Sequence, residues 1–124
     1  MLKLKVVVVL VGLIQVVFGL GNLLLPHQFN TMFGYSPVPP WTDFASRFAG
    51  VRYLALAVGM YLVLRDVRKH ISWLKVMIFV QAVDCLASLY AVLVEGVPLS
   101  VAGVAIILPA TWTILLIVFY PRKT

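Results

Sequence analysis

Residues 43–59, DFASRFAGVRYLALAVG, open an apolar segment that is long enough to cross a bilayer and yet contains Arg47 and Arg52. An arginine inside a membrane span costs about 2.5–3.5 kcal/mol on insertion scales unless a partner, water or lipid headgroups accompany it. The segment therefore predicts a membrane location. It also predicts that each arginine has a polar or charged group near it.

The composition is that of an integral membrane protein. Of the 124 residues, 63% are hydrophobic and 11% are charged, whereas a soluble domain averages about 45–50% apolar and 25% charged residues. The net charge of +6 comes from short basic clusters between apolar runs. Such clusters are typical of topology signals and not of a nucleic-acid surface. The single cysteine, Cys85, excludes an intramolecular disulfide and a thiolate zinc site.

Four apolar segments predict an all-α integral membrane fold, a bundle of four transmembrane helices in one domain, 1–124. Each has about the 20 residues that a bilayer requires. The predicted spans are residues 6–25, 43–64, 71–94 and 98–120.

The longest loop, 26–42, contains PHQFNTMF, which predicts a short interfacial helix that starts at Pro26 and stops at Gly34. Phe29, Met32 and Phe33 would share its apolar side, and the more polar residues are His27, Gln28, Asn30 and Thr31. The following SPVPPW is expected to be extended around its three prolines. We expect this loop to form a cap over one mouth of the bundle; a plain connector is the alternative.

Small residues at helical spacing predict close contacts between helices, since they let two backbones approach. They are Gly12 and Gly19 in the first span, and the pairs Ala45/Ala49 and Ala55/Gly59 in the second.

The basic residues predict the orientation of the bundle. Four spans place both termini on one side, and positively charged loops stay in the cytoplasm. Eight of the ten Lys and Arg residues fall in the tails or near the turn after the second span: Lys3, Lys5, Arg65, Arg68, Lys69, Lys75, Arg122 and Lys123. We therefore expect a multi-pass protein of the cell inner (plasma) membrane with cytoplasmic termini.

The deeper arginine has a candidate partner on the third span. At 1.5 Å per residue, Arg52 lies about 18 Å and Asp84 about 20 Å from the turn that joins their helices. Matched depth predicts an Arg52–Asp84 pair. Asp43 and Arg47, four residues apart, can pair at the outer end of their helix, or Arg47 can reach headgroups. Trp41 is expected at the membrane interface.

Further polar residues accompany Asp84. Gln81 and Ser88 lie three residues before it and four after it, on one helical face. A few polar groups in an apolar pocket orient a lipophilic ligand; the alternative is a purely structural ion pair. The predicted ligand-binding residues are Arg52, Asp84, Gln81, Ser88, Tyr53, Gln15 and Trp112.

The sequence offers no constellation for self-contained catalysis or for a metal. His27 and His70 fall on opposite sides of the predicted membrane, and no phosphate loop, HExxH or nucleophile elbow is present. A small multidrug transporter needs a membrane carboxylate in its first helix, and residues 6–25 contain none.

At FAGVRYLALAVG (Phe48–Gly59), the proline-initiated PHQFNTMFG and Asp84, the chain resembles the DoxX-like superfamily of small four-helix membrane proteins. It is nearest to the BphX-like and related uncharacterised branches. The resemblance implies a family position for Arg52 in Gly50-Val51-Arg52. Some such proteins are membrane subunits associated with quinone-linked oxidoreductases or redox-stress complexes, and many have no assigned role. Tyr53 stands here where related chains often have an acid.

The expected function is the binding of a lipophilic small molecule, quinone- or lipid-like, within the helix bundle, and no cofactor beyond such a ligand is expected. Alternatives are a structural or accessory subunit of a larger membrane redox complex, or a small oligomeric transporter. The expected partners are the lipid bilayer, the ligand, and a membrane-protein partner or a second copy of the chain, with no nucleic acid.

Overall fold

In a computed structural model, which describes residues 1–34 and 40–122, the chain forms five α-helices and no strand. Four of these helices are long and apolar enough to cross a membrane, and one short helix follows the first of them. In chain order they are α1 (Leu2–Leu24), α2 (Pro26–Met32), α3 (Pro40–Arg65), α4 (Ile71–Leu93) and α5 (Leu99–Val118). The all-α bundle of four membrane-spanning helices that the sequence predicts is thus confirmed, and the chain is a multi-pass membrane protein.

The short helix α2 forms as predicted, with Pro26 at its first turn. Gly34 follows it with a φ of 86°, a left-handed conformation that glycine adopts without strain. The expectation that all three prolines of SPVPPW lie in extended chain is wrong for Pro40, which begins α3. Proline is favoured at a helix start because the amide hydrogen it lacks has no helical acceptor there. Residues 36–39 of this motif lie outside the described residues.

The four long helices form a ring. The most extensive contacts join α1 to α3 and α4 to α5, and smaller contacts of α3 with α4 and of α1 with α5 complete it. Within the described residues, α1 therefore lies diagonally across from α4, and α3 from α5. The two helices that the short 66–70 turn connects, α3 and α4, are neighbours but not the closest pair.

Glycines allow α1 and α3 to approach closely. A Cβ atom on Gly50 would lie 2.8 Å from the carbonyl oxygen of Gly19 and 2.9 Å from the backbone nitrogen of Leu23. A Cβ atom on Gly12 would lie 3.4 Å from Cβ of Met60 on the same partner helix. The prediction that Gly12 and Gly19 share a face that a neighbouring helix approaches is confirmed.

The apolar core occupies one end of the bundle. It uses the first half of α1, the second half of α3, the start of α4 and the end of α5, so it fills the end that carries both chain termini. Its buried members are Leu4, Val7, Val8, Val11, Leu56, Met60, Val63, Val67, Leu74, Met77 and Leu116. The outward faces carry exposed apolar residues such as Leu13, Phe79 and Ile107, as contact with lipid requires.

Substitution of Gly50 tests the α1–α3 contact. We expect Gly50→Ala to lower the stability of the protein by about 1–3 kcal/mol, the usual effect of overpacking, because backbone atoms of α1 cannot move aside. The control is Gly103→Ala on α5, where an added Cβ meets nothing within 4 Å. Thermal unfolding of both variants in one detergent measures the effect. Equal melting temperatures for the two would contradict the close approach.

Candidate functional site

The other end of the bundle, where α2 lies, contains a partly open cavity of about 550 Å³. Cavities of about 300–1,000 Å³ are typical of small-molecule sites. All five helices contribute to its wall. The polar residues that line it are Gln15, Asn22, Asn30, Ser46, Tyr53, Gln81, Asp84, Ser88 and Trp112.

Small side chains leave this space open. Ala45 and Ala49 of α3 and Ala87 and Ala91 of α4 all line the cavity. The spacing of Ala45 and Ala49 predicts a helix contact, yet the structure places both on the cavity wall. The second predicted pair, Ala55/Gly59, does make a helix contact, because Gly59 packs against the ring of Trp73 on α4.

An aromatic cluster forms one wall. Phe18 of α1 lies at its centre, with ring centroids 5.4 Å from Phe29, 5.7 Å from Phe33 and 5.8 Å from Tyr53. Phe29 and Phe33, four residues apart, thus share the inner side of α2 as predicted. Met32 does not, since 70% of it is exposed. The cluster fixes α2 against α1 and α3, so α2 forms part of the cavity wall.

A hydrogen bond also ties α2 to α3. Nδ2 of Asn30 donates to Oγ of Ser46 over 2.8 Å, and both residues line the cavity. The sequence places Asn30 on the polar side of α2, and the structure turns it inward. The predicted cap is therefore anchored by a polar contact as well as by aromatic rings.

Two further side-chain amides donate hydrogen bonds from their amino groups to other protein atoms. Nδ2 of Asn22 donates to the carbonyl oxygen of Phe18 over 2.8 Å, and Nε2 of Gln81 donates to the sulfur of Met77 over 3.2 Å. Both partners are acceptors, which fixes the orientation of each amide. No described residue donates to the carbonyl oxygen of either amide.

Two lining residues carry buried polar atoms without a partner. Oε1 of Gln15 and Nε1 of Trp112 are buried and form no hydrogen bond with any described residue, and only 3% of Gln15 is exposed. An unsatisfied buried polar group costs about 1–3 kcal/mol. Functional sites are a common place for such groups.

Pro109 of α5 also affects the wall. Proline has no amide hydrogen, so the carbonyl of Ala105, four residues earlier, loses its regular helical donor. Both residues line the cavity. The hydroxyl of Thr113 donates to the carbonyl oxygen of Pro109 over 2.7 Å.

Asp84 is the charged side chain of the site. No other Asp, Glu, Lys or Arg occurs among the described lining residues. The positive charge of Arg52 acts on the Asp84 carboxylate, but the described residues contain no ion pair with an N–O separation of 4.0 Å or less. The two charges therefore interact at a distance without the direct pairing that matched depth predicts.

Arg52 itself is exposed and does not line the cavity. Successive helical residues are about 100° apart, so Arg52 points about 200° away from Gly50. Because Gly50 packs on α1, Arg52 is directed away from that contact. Tyr53, three residues after Gly50, returns to the inner side and joins the aromatic cluster.

The other predicted ligand-binding residues are brought together by the fold. They come from four different segments and all line the one cavity: Gln15, Tyr53, Gln81, Asp84, Ser88 and Trp112. Sequence reasoning missed Asn22, Asn30 and Ser46. Asn22 follows Gln15 by seven residues and Ser46 precedes Tyr53 by seven, and this spacing could have placed them on the same helix faces.

The predicted Asp43–Arg47 pair is not formed within the described residues. Oδ1 of Asp43 is buried without a hydrogen-bond partner, while Arg47 is exposed, which leaves headgroup contact as the remaining interpretation for Arg47. Trp41 is 72% exposed at the start of α3. That position accords with an interfacial role.

The described residues contain no group of three or more His, Cys, Asp or Glu side chains that could hold a metal ion. His27 lies in α2, and His70 lies in the turn at the opposite end of the bundle. The chain matches no protein-family model, no curated protein and no solved structure.

A near-isosteric replacement of Gln15 tests whether its amide is unsatisfied. We expect Gln15→Leu to raise the stability by about 1 kcal/mol or more, because it removes a buried polar group without a partner. Gln81→Leu is the control, since it also removes the hydrogen bond to Met77 and should gain less. Thermal unfolding in detergent compares the two. A larger loss of stability for Gln15→Leu than for Gln81→Leu would show that Gln15 has a partner after all.

Proposed function

We propose that this membrane protein binds a lipophilic small molecule, of quinone-like or lipid-like character, in the cavity beneath α2, and that it carries out no catalysis of its own. The observation that carries the proposal is the hollow half of the bundle. Protein interiors are normally packed as densely as organic crystals, whereas here about 550 Å³ is left open between four spans.

The character of the wall supports the same proposal. Ligand sites are mostly apolar, with a few polar groups that fix orientation. Here Phe18, Phe29 and Phe33 supply an apolar surface, and Gln15 and Trp112 supply polar atoms that the described protein leaves unpaired. A ligand that pairs with these atoms relieves an existing cost, so the binding energy gains from both kinds of contact.

Arg52 favours a second candidate function, that of a subunit in a larger membrane complex. It lies near the middle of α3 and is exposed. An arginine at that depth is costly in lipid alone. An acidic or polar group on a neighbouring membrane protein, or on a second copy of this chain, would lower that cost. Binding of a ligand and membership of a complex are compatible.

Native mass spectrometry of the protein released from mild detergent tests the first proposal. We expect a retained lipophile in the wild type and its loss in Ala87→Phe, because the new ring fills the cavity that Ala87 lines. Ala55→Phe is the matched control: Ala55 is also exposed on its helix but does not line the cavity.

Equal ligand retention in both phenylalanine variants would contradict the proposal, as would a wild-type protein that carries no lipophile under any mild condition. The same spectra report the mass of any bound partner or second copy. A strictly monomeric protein would contradict the subunit candidate.

We further propose that both termini are cytoplasmic and that α2 faces outward. Lys3, Lys5, Arg68 and Lys69 all belong to the end of the bundle that carries the N-terminus, and positively charged loops are retained in the cytoplasm.

Cysteine labelling tests this orientation. In a Cys85→Ser background we expect a membrane-impermeant maleimide to label Glu95→Cys in intact cells and to spare Arg68→Cys. Both positions are exposed, one in the α4–α5 connection and one in the α3–α4 turn. Labelling of both after cell lysis is the control. Labelling of the Arg68 position alone in intact cells would reverse the orientation.

A further inference from the structure

The cavity wall presents several amide carbonyl oxygens to which no described residue donates. Asn22, Asn30 and Gln81 each use an amino group to bond to the protein, and no described residue donates to their carbonyl oxygens. The carbonyl oxygen of Gln15 is likewise unpaired. The wall also offers donors, namely the unpaired indole nitrogen of Trp112 and the hydroxyls of Ser46 and Ser88, which can donate as well as accept. A ligand with donor groups can pair with the free carbonyl oxygens.

The charge of the wall is negative. Asp84 is the one charged group among the described lining residues, and no hydrogen bond or close ion pair from a described residue meets its carboxylate. Arg52 acts on it from outside the lining. A carboxylate in a low-dielectric interior is costly unless a cation or several donors reach it directly.

The aromatic cluster adds a surface that suits a cation. Phe18, Phe29, Phe33 and Tyr53 lie on the same cavity as Asp84. The face of an aromatic ring attracts positive charge, because the ring carries a negative potential there. Acceptors, a carboxylate and ring faces together define the recognition chemistry of an ammonium group.

We propose that the ligand of this cavity is a lipophile with a protonated amine as its head group. The ammonium donates hydrogen bonds to Asp84 and to amide oxygens of the same wall, while the apolar part lies against the aromatic cluster. The inference rests on the proposed function and narrows its ligand class. Quinone carbonyls accept hydrogen bonds and do not donate them, so a quinone cannot pair with these amide oxygens or with the Asp84 carboxylate.

The test compares two probes that differ only in the head group, 4-phenylbutylamine and 4-phenylbutan-1-ol. Binding is measured by calorimetry on protein in phosphatidylcholine nanodiscs, with empty nanodiscs to subtract partitioning into lipid. We expect the wild type to bind the amine at least about tenfold more tightly, because hydrogen bonds between charged groups are stronger than those between neutral groups.

Asp84→Asn should reduce the amine affinity to that of the alcohol, while alcohol binding persists and shows that the cavity is still formed. Asp66→Asn is the matched control. It removes the same charge from the exposed α3–α4 turn and should leave the amine preference unchanged. Asp84→Glu, which keeps the charge, should retain the preference.

Three outcomes overturn the inference. Wild-type protein that binds the alcohol as tightly as the amine refutes the head-group assignment, while the proposed function stands. An amine preference that survives in Asp84→Asn refutes the role of Asp84. If neither probe binds the wild type, the inference and the proposed function both fail.

Discussion

The close approach of α1 and α3 at Gly19 and Gly50 is the constraint on which the rest of the bundle depends. With no side chains at these two positions, the backbones meet at a distance that any Cβ atom would prevent. The α1–α3 pair is thereby fixed at the α2 end. The α4–α5 pair stands apart from it there, and Ala87 and Ala91 of α4 do not fill the gap. The cavity is the space that remains between two tight pairs.

Two of the long helices, α1 and α4, change the character of their inner faces halfway along. On α1, Val8 and Val11 give way to Gln15 and Asn22, and on α4, Met77 gives way to Gln81 and Asp84. Both changes lie toward the α2 end of the bundle, because the first and third spans run in the same direction. One half is therefore held together by apolar packing, and the other half gathers the polar groups.

Much of this architecture could be predicted from the sequence, since span length and hydropathy determine which segments cross a bilayer. The inward placement of Gln15, Gln81 and Asp84 also follows, because a polar side chain in a span avoids lipid. The direct contact between Arg52 and Asp84 that their equal depth predicts is not formed, for a geometric reason. Rise per residue gives the depth of a side chain but not the direction in which it points, and that direction is set by Gly50, which packs against α1.

The contribution of α2 could not have been predicted in the same way. Its seven residues are too few for a hydrophobic pattern to determine their rotation, so Met32 and Asn30 were assigned to the wrong sides. Contacts with Phe18 on α1 and Ser46 on α3 fix that rotation. Tertiary packing determines how such a short helix is rotated about its axis.

The densely packed half of the bundle, at the end that carries the termini, affects how a molecule could move through the protein. Leu4, Met60, Leu74, Met77 and Leu116 are each 2% exposed or less, and they fill the interior between the cavity and the end that carries the termini. Within the described residues, these side chains therefore separate the cavity from the end that carries the termini. A molecule held in the cavity would have to leave at the α2 end or between the helices into the bilayer.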